Sequence, residues 1–228
     1  MTFHDRADAG RALAQRLGHL KGHDLVVLGL PRGGVPVAFE IATALSAPLD
    51  VIVVRKLAHP LQPELAIGAL GEGGTRVLNP EVLREERMGA DELANIERDA
   101  QAELDRQIAR VRHGRLAVRL ADRVAVIVDD GVATGSTARA ACLIARARGA
   151  ASVVLAVPVA TARALARLAD VADDVVCVDT PEWFYAVGEW YDDFTPTTDE
   201  EVLALLDRAA AGEFHDHQPR PRRRATTG

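Results

Sequence analysis

Hydrophobic and polar positions change period repeatedly along the chain. Short continuous apolar runs at residues 25–30, 50–54, 124–128, 152–157 and 174–178 have the length and Val/Leu/Ile content of buried strands. Between them, apolar residues recur every three or four positions. Ala9, Leu13, Leu17 and Leu20 lie behind an Asp5 that can cap a helix, and residues 35–45, 136–148, 161–168 and 199–211 read as further helices. Strand followed by helix, again and again, predicts an α/β fold: a mostly parallel twisted sheet with helices on both faces and right-handed crossovers. In such a sheet ligands gather at the carboxyl ends of the strands.

Two stretches interrupt the pattern. Residues 60–74 hold Pro60, Pro63 and four glycines and read as an exposed loop, then a strand and a turn, with 75–78 returning as a strand. Asn79-Pro80 then opens a short helix over 81–88 stopped by Gly89. From 91 to 113, Leu93, Ile96, Ala100, Leu104, Ile108 and Val111 mark an amphipathic helix of about six turns closed by Gly114. Residues 79–114 are thus a helical insertion, expected to pack as a flap beside the site or to offer a dimer surface. The second interruption, 180–198, gathers Trp183, Phe184, Tyr185, Trp190, Tyr191 and Phe194, six of the nine aromatic residues. Such a cluster either caps a core edge or builds a stacking surface for a flat ligand. Residues 1–211 form one domain on this reading, and 212–228, with Arg220, Arg222, Arg223 and Arg224, form a disordered basic tail.

Composition narrows the class. At 228 residues, 48% hydrophobic and with a mean hydropathy of +0.02, the chain can bury a substantial core. No apolar run approaches the roughly 18–20 residues of a membrane span, and Met1-Thr-Phe-His-Asp-Arg6 is unlike a signal peptide, so the cytoplasm is the expected compartment. A net charge of −6 gives no support to nucleic-acid binding by the body of the protein. Cys142 and Cys177 have no metal-binding spacing and read as buried small hydrophobes.

The chemistry concentrates where strand 124–128 ends. Asp129 and Asp130 close the strand, 131–135 turn the chain, and a helix starts near Ser136. Strand, two acids, small-residue turn and helix N-terminus make a cradle for a phosphate beside carboxylates that can hold sugar hydroxyls or a metal-bound sugar. Pro31-Arg32-Gly33-Gly34 repeats the plan after strand 25–30, its glycines letting N–H groups face an anion and Arg32 adding a charged fork. Arg55 and Lys56 follow strand 50–54 and put two cations on the same sheet edge.

Residues 126–137, Val-Ile-Val-Asp-Asp-Gly-Val-Ala-Thr-Gly-Ser-Thr, resemble the phosphoribosyl-pyrophosphate signature of the type I phosphoribosyltransferases. The resemblance covers about residues 24–195 and is closest to a bacterial group sharing the Leu-Pro-Arg-Gly-Gly, Val-Arg-Lys and Phe-Tyr-Ala-Val-Gly segments. It implies transfer of a 5-phosphoribosyl group from phosphoribosyl pyrophosphate to a nitrogenous base, with Mg²⁺. Asp129 and Asp130 would engage the ribose 2- and 3-hydroxyls and contact Mg²⁺, mainly indirectly. Ala133, Thr134, Gly135, Ser136 and Thr137 would hold the 5-phosphate. Arg32, Gly33 and Gly34 would hold pyrophosphate on a loop where the family often has a cis non-proline peptide. Residues 180–194 would form a hood over the base, with Phe184 stacking on it. The implied partners are small molecules, and a homodimer is left open.

Two departures bear on the acceptor. Hypoxanthine-guanine enzymes carry an aspartate where this chain has Ala133, and a lysine where it has Pro158-Val159, which disfavours a 6-oxopurine. A general base would then come from elsewhere, with Glu64 and Glu72 as candidates. The competing expectation is a regulatory protein that binds phosphoribosyl pyrophosphate without transferring it. No GxxxxGK[ST] run supports a P-loop enzyme.

Overall fold

The computed structural model describes residues 2–212. The expected basic tail therefore lies, Gly212 apart, outside the described residues. Five parallel strands form the central sheet in the order β2-β1-β6-β7-β8: β1 (Leu25–Gly29), β2 (Leu49–Val51), β6 (Val124–Val128), β7 (Ser152–Val159) and β8 (Asp174–Asp179). Three antiparallel strands, β3 (Val54–His59), β4 (Gln62–Gly71) and β5 (Thr75–Leu78), form a second sheet.

The two-residue period of the strands divides the core. Leu25 and Val27 of β1 face one side with Val126 and Val128 of β6, under α1 (Arg6–Arg16) and α2 (Gly34–Leu45). Val26, Leu28, Ala125 and Ile127 face the other, against α5 (Ser136–Ala147) and α6 (Ala162–Leu168). Each large aliphatic chain so buried contributes about 1.5–3 kcal/mol. A third cluster joins the antiparallel sheet to α4 (Ala90–Arg112) and α7 (Asp199–Ala210) through Leu57, Ile67, Leu104, Val111, Val202 and Leu206. The short α3 (Pro80–Glu85) is capped by Asn79, whose side chain accepts from Glu81 and Val82. The expected Asp5 cap is also present, accepting from Asp8 N at 2.8 Å.

Three expectations need correction. The run at 50–54 is not one strand: Leu49–Val51 stays in the parallel sheet, and Val54 already begins the antiparallel one. An unbroken apolar run hides the break because Ile52 and Val53 remain fully buried while the chain changes sheets. Strand β7 runs through Pro158 rather than stopping there. Its ladder with β6 ends at Val128–Ala156, and the next bond on that side, from Val132 N to the Val159 carbonyl at 2.9 Å, bypasses the proline nitrogen. The strand expected inside 60–74 is present as β4, but it begins at Gln62 and takes in most of the stretch expected to be loop.

One buried charge network fastens the two sheets. Arg112, at the end of α4, donates to Asp50 of β2 (Nη1 to Oδ1, 2.8 Å), to the Val51 carbonyl (3.0 Å) and to Glu72 after β4 (Nε to Oε2, 2.6 Å). Asp50 also accepts from Val118 N at 2.8 Å. One guanidinium thus serves two carboxylates. Burial pushes the Glu72 carboxyl above its usual range, against the opposing pull of Arg112, and its Oε1 is buried without a partner. Burial alone would loosen the Arg112 proton, but the Asp50 and Glu72 carboxylates more than offset it and hold the guanidinium above its usual range.

Removing the cation should strand both acids in the core: Arg112→Leu is expected to cost about 3–5 kcal/mol in urea unfolding. Because the fold binds the Glu72 proton more tightly than the unfolded chain does, its contribution is present below about pH 4.5 and lost as pH rises through the raised value. Unfolding free energies measured from pH 4 upward should therefore fall less steeply in Glu72→Gln than in the natural sequence.

Candidate functional site

Strands β1 and β6 are neighbours, but the chain leaves them in opposite directions. From β1 it passes through α2 to β2 at one edge, and from β6 through α5 to β7 on the other side. Helices α2 and α5 pack on opposite faces, so the carboxyl ends of β1 and β6 open a crevice at the point where strand order reverses. The two loops singled out from sequence, 31–34 and 129–137, both lie there.

Glycine makes their approach possible. A Cβ on Gly33 would collide with the Asp130 carboxylate, and one on Gly34 would lie 2.5 Å from the Val128 carbonyl oxygen. Leu30 N donates to that same carbonyl at 2.8 Å, which fixes the first loop against β6. The Pro31–Arg32 peptide is cis, as the resemblance implied. Arg32 extends toward α7, with Nη1 3.8 Å from Asp199 Oδ1.

Beyond the acids, Gly135 takes φ 81°, a conformation that favours glycine, and turns the chain into α5. As N-cap it has no side chain to offer, so the first-turn N–H groups of α5 face the loop without a side-chain cap. Thr134 and Ser136 hydroxyls lie 3.2 Å apart. Ala133, Thr134 and Thr137 are exposed and Ser136 half-buried, and the Ala133 carbonyl accepts from Thr161 Oγ1 at 3.0 Å.

The two acids differ sharply. Burial, and after it the neighbouring Asp130 charge, hold the Asp129 carboxyl well above the ordinary range, although its Oδ1 accepts from Asp130 N at 2.9 Å. Asp130 instead has a cation: Arg6 Nε donates to its Oδ2 at 2.8 Å. Its backbone carbonyl accepts from Tyr191 Oη at 2.5 Å, and burial pushes the tyrosine hydroxyl upward, keeping it a donor. Arg6 and Tyr191 escape sequence reasoning. Both lie far from residue 130 in the chain, and neither belongs to a local motif.

Part of the aromatic stretch caps a core edge, one of the two expectations for it. Tyr191 packs on Phe3 and Phe194, with ring centroids 5.7 and 5.0 Å away, and closes a core edge. Phe184 lies near-parallel to Trp190 at 6.4 Å and is half-buried, while Trp183 and Tyr185 are 72% and 81% exposed.

Arg55 and Lys56 are not strand-end residues of the parallel sheet. They belong to β3, where Arg55 pairs with Glu103 of α4 and Lys56 Nζ donates to the Pro63 carbonyl at 2.7 Å. Glu72 is enclosed with Arg112, which removes it as a candidate base. Among the described residues no group of three or more His, Cys, Asp or Glu is arranged to hold a metal ion, and no helix is long and apolar enough to cross a membrane.

Residues 3–195 match the family described as "Phosphoribosyl transferase domain". The chain belongs to this family. Within it, the chain is 59% identical over 207 residues to a Mycobacterium tuberculosis H37Rv protein named "Putative phosphoribosyl transferase", and equally to its counterpart in strain CDC 1551. That alignment covers 91% of the chain but 47% of the relatives, so the chain spans about half the length of the curated relatives it matches. Among solved structures, TT1426 from Thermus thermophilus is 44% identical with a TM-score of 0.85, covering 90% of this chain and 98% of that one. The phosphoribosyl transferase domain therefore carries its acidic pair on the switch-point crevice of a type I fold.

A partly buried carboxylate beside a second one costs stability once it is ionised. The sign is that of a raised pKa: stability is present below about pH 4 and lost as pH rises. Asp129→Asn, which keeps the acceptor for Asp130 N, is expected to raise the thermal midpoint, with a gain larger at pH 7 than at pH 4 in differential scanning calorimetry.

Proposed function

We propose that the chain transfers a 5-phosphoribosyl group from phosphoribosyl pyrophosphate to a nitrogenous base. The bond from ribose C1 to the pyrophosphate oxygen breaks, a bond from C1 to a base nitrogen forms, and the proton of that nitrogen is lost. The observation that carries this reading is the meeting of Gly33 and Gly34 with Asp129 and Asp130 across one crevice, next to the uncapped start of α5. A diphosphate, a diol and a monophosphate need three such features within one ligand's length.

In this reading the Asp129 and Asp130 carboxylates accept from the ribose 2- and 3-hydroxyls and stabilise positive charge on the ring. The amides and hydroxyls of Ala133, Thr134, Gly135, Ser136 and Thr137 hold the 5-phosphate at a helix N-terminus. Arg32 with the Gly33 and Gly34 amides receives the leaving pyrophosphate. Phe184 supplies a face for the base. Arg55 and Lys56 are left out of the proposed site, since Glu103 and the Pro63 carbonyl already hold them.

The donor set suits Mg²⁺, which is commonly held by one or two carboxylates together with substrate oxygens and not by an all-protein cage. Asp129 and Asp130 would hold it, mainly through water or the ribose hydroxyls, and bound there it would neutralise charge developing on the pyrophosphate. With Ala133 at the loop and Glu72 enclosed, Glu64 is the candidate base left of the two, and an acceptor whose attacking nitrogen is already a good nucleophile would need none. The enclosure of Glu72 gives weight to a second reading, a regulatory protein that binds the ligand without turnover.

Phosphoribosyl pyrophosphate with Mg²⁺ should raise the thermal midpoint, and a screen of nitrogenous bases should release pyrophosphate with at least one of them. Asp129→Asn and Asp130→Asn should each lower that release by orders of magnitude. A thermal shift with no turnover on any base supports the regulatory reading, and no shift at all would discard both.

A further inference from the structure

Arg6 reaches the crevice from the first turn of α1 and touches two separate segments, residue 130 and residues 194–195. Its Nε donates to Asp130 Oδ2 at 2.8 Å, its Nη1 donates to the Thr195 carbonyl at 2.8 Å, and its guanidinium carbon sits 3.9 Å from the Phe194 ring centroid. Both side chains of the ion pair are largely enclosed, at 11% and 15% exposure. The segment before Arg6 is tied to the same region: Phe3 N donates to the Trp190 carbonyl at 2.8 Å, and Asp192 N and Asp193 N donate to the carbonyls of Phe3 and His4, each at 2.9 Å. Arg6 is thus the point where the N-terminal segment, the aromatic stretch and the acidic pair meet.

The geometry points to Arg6 as a positioning residue for the acidic pair: it anchors Oδ2 of Asp130, leaves Oδ1 to accept from the ribose, and sets residues 194–195 in fixed register with that carboxylate. This rests on the phosphoribosyl pyrophosphate reading above. Two arguments support it. Asp129 and Asp130 repel each other, and a carboxylate without a partner would turn away from its neighbour; the Arg6 fork removes that freedom. The Gly33 gap is also part of the arrangement, since a Cβ there would collide with Asp130 and lie 3.2 Å from Arg6 Nε. A planar fork can serve a carboxylate and a carbonyl together while stacking on a ring, which a single ammonium cannot do.

Isothermal titration with Mg²⁺ and phosphoribosyl pyrophosphate tests this on the natural sequence, Arg6→Ala, Arg6→Lys and Phe3→Leu. Phe3→Leu loosens the same N-terminal segment without touching the ion pair, and the ligand-free thermal midpoint of every variant is recorded. Arg6→Ala should weaken binding at least tenfold, and Arg6→Lys should recover only part of the loss. Phe3→Leu should stay within about threefold of the natural affinity even where its midpoint falls as far. The only two tryptophans, Trp183 and Trp190, both lie in the aromatic stretch, so acrylamide quenching should rise in Arg6→Ala. The inference is overturned if Arg6→Ala binds within twofold of the natural sequence, or if Phe3→Leu loses as much affinity. Should Arg6→Ala not fold, Arg6→Lys decides: natural affinity in that variant overturns it, and a loss exceeding that of Phe3→Leu supports it. Absence of binding by the natural sequence itself would instead remove the phosphoribosyl pyrophosphate reading, and this inference with it.

Discussion

Two adjacent carboxylates at the end of a buried strand repel each other, and much of the surrounding structure answers that repulsion. Burial and the Asp130 charge hold the carboxyl of half-buried Asp129 above its ordinary range, with the Asp130 amide as donor. Arg6 neutralises Asp130 from outside the sheet, and Tyr191 steadies its backbone. Gly33 supplies the space in which the carboxylate and the guanidinium meet. An isolated pair of this kind would disfavour folding; under the proposed function, ribose hydroxyls and a cation bound there would offset that cost.

The second electrostatic centre has a different purpose. Asp50, Glu72 and Arg112 lie where the parallel sheet, the antiparallel sheet and α4 converge, and their hydrogen bonds specify how these parts dock. Apolar packing through Leu57, Ile67 and Leu104 supplies the attraction, but it is indifferent to small shifts in register. A guanidinium fork with fixed donor directions is not, so the polar network adds geometry to what the hydrophobic cluster adds in energy.

Much of the fold could be read from local pattern. The apolar runs at β1, β6, β7 and β8 and the helical periods of α1, α4 and α7 declare themselves because each depends on its own residues. The break between β2 and β3 does not, since Ile52 and Val53 are as buried as a continuous strand would make them. Pro158 misleads because its tolerance depends on β6 ending two residues earlier, a fact about a neighbouring strand. At the site, the motif over 126–137 exposes Asp129 and Asp130, and the glycines of 31–34 mark the facing loop. Arg6, Tyr191 and the Glu103 partner of Arg55 stay hidden, because no spacing rule links residues brought together only by the tertiary fold. Glu72 reads as a reactive acid from sequence alone, and Arg112, forty residues later, shows it to be a structural one.

The contact from Arg6 to Thr195 spans 189 residues of sequence. During synthesis, Phe3 and Arg6 emerge before almost all of the described chain, and their partners near residues 190–195 exist only once it has followed. The parallel sheet can assemble strand by strand in the meantime, since β1, β6, β7 and β8 join in chain order. The counter-charge of the acidic pair therefore depends on a loop closure of very high sequence separation, the kind of contact whose ordering entropy is largest.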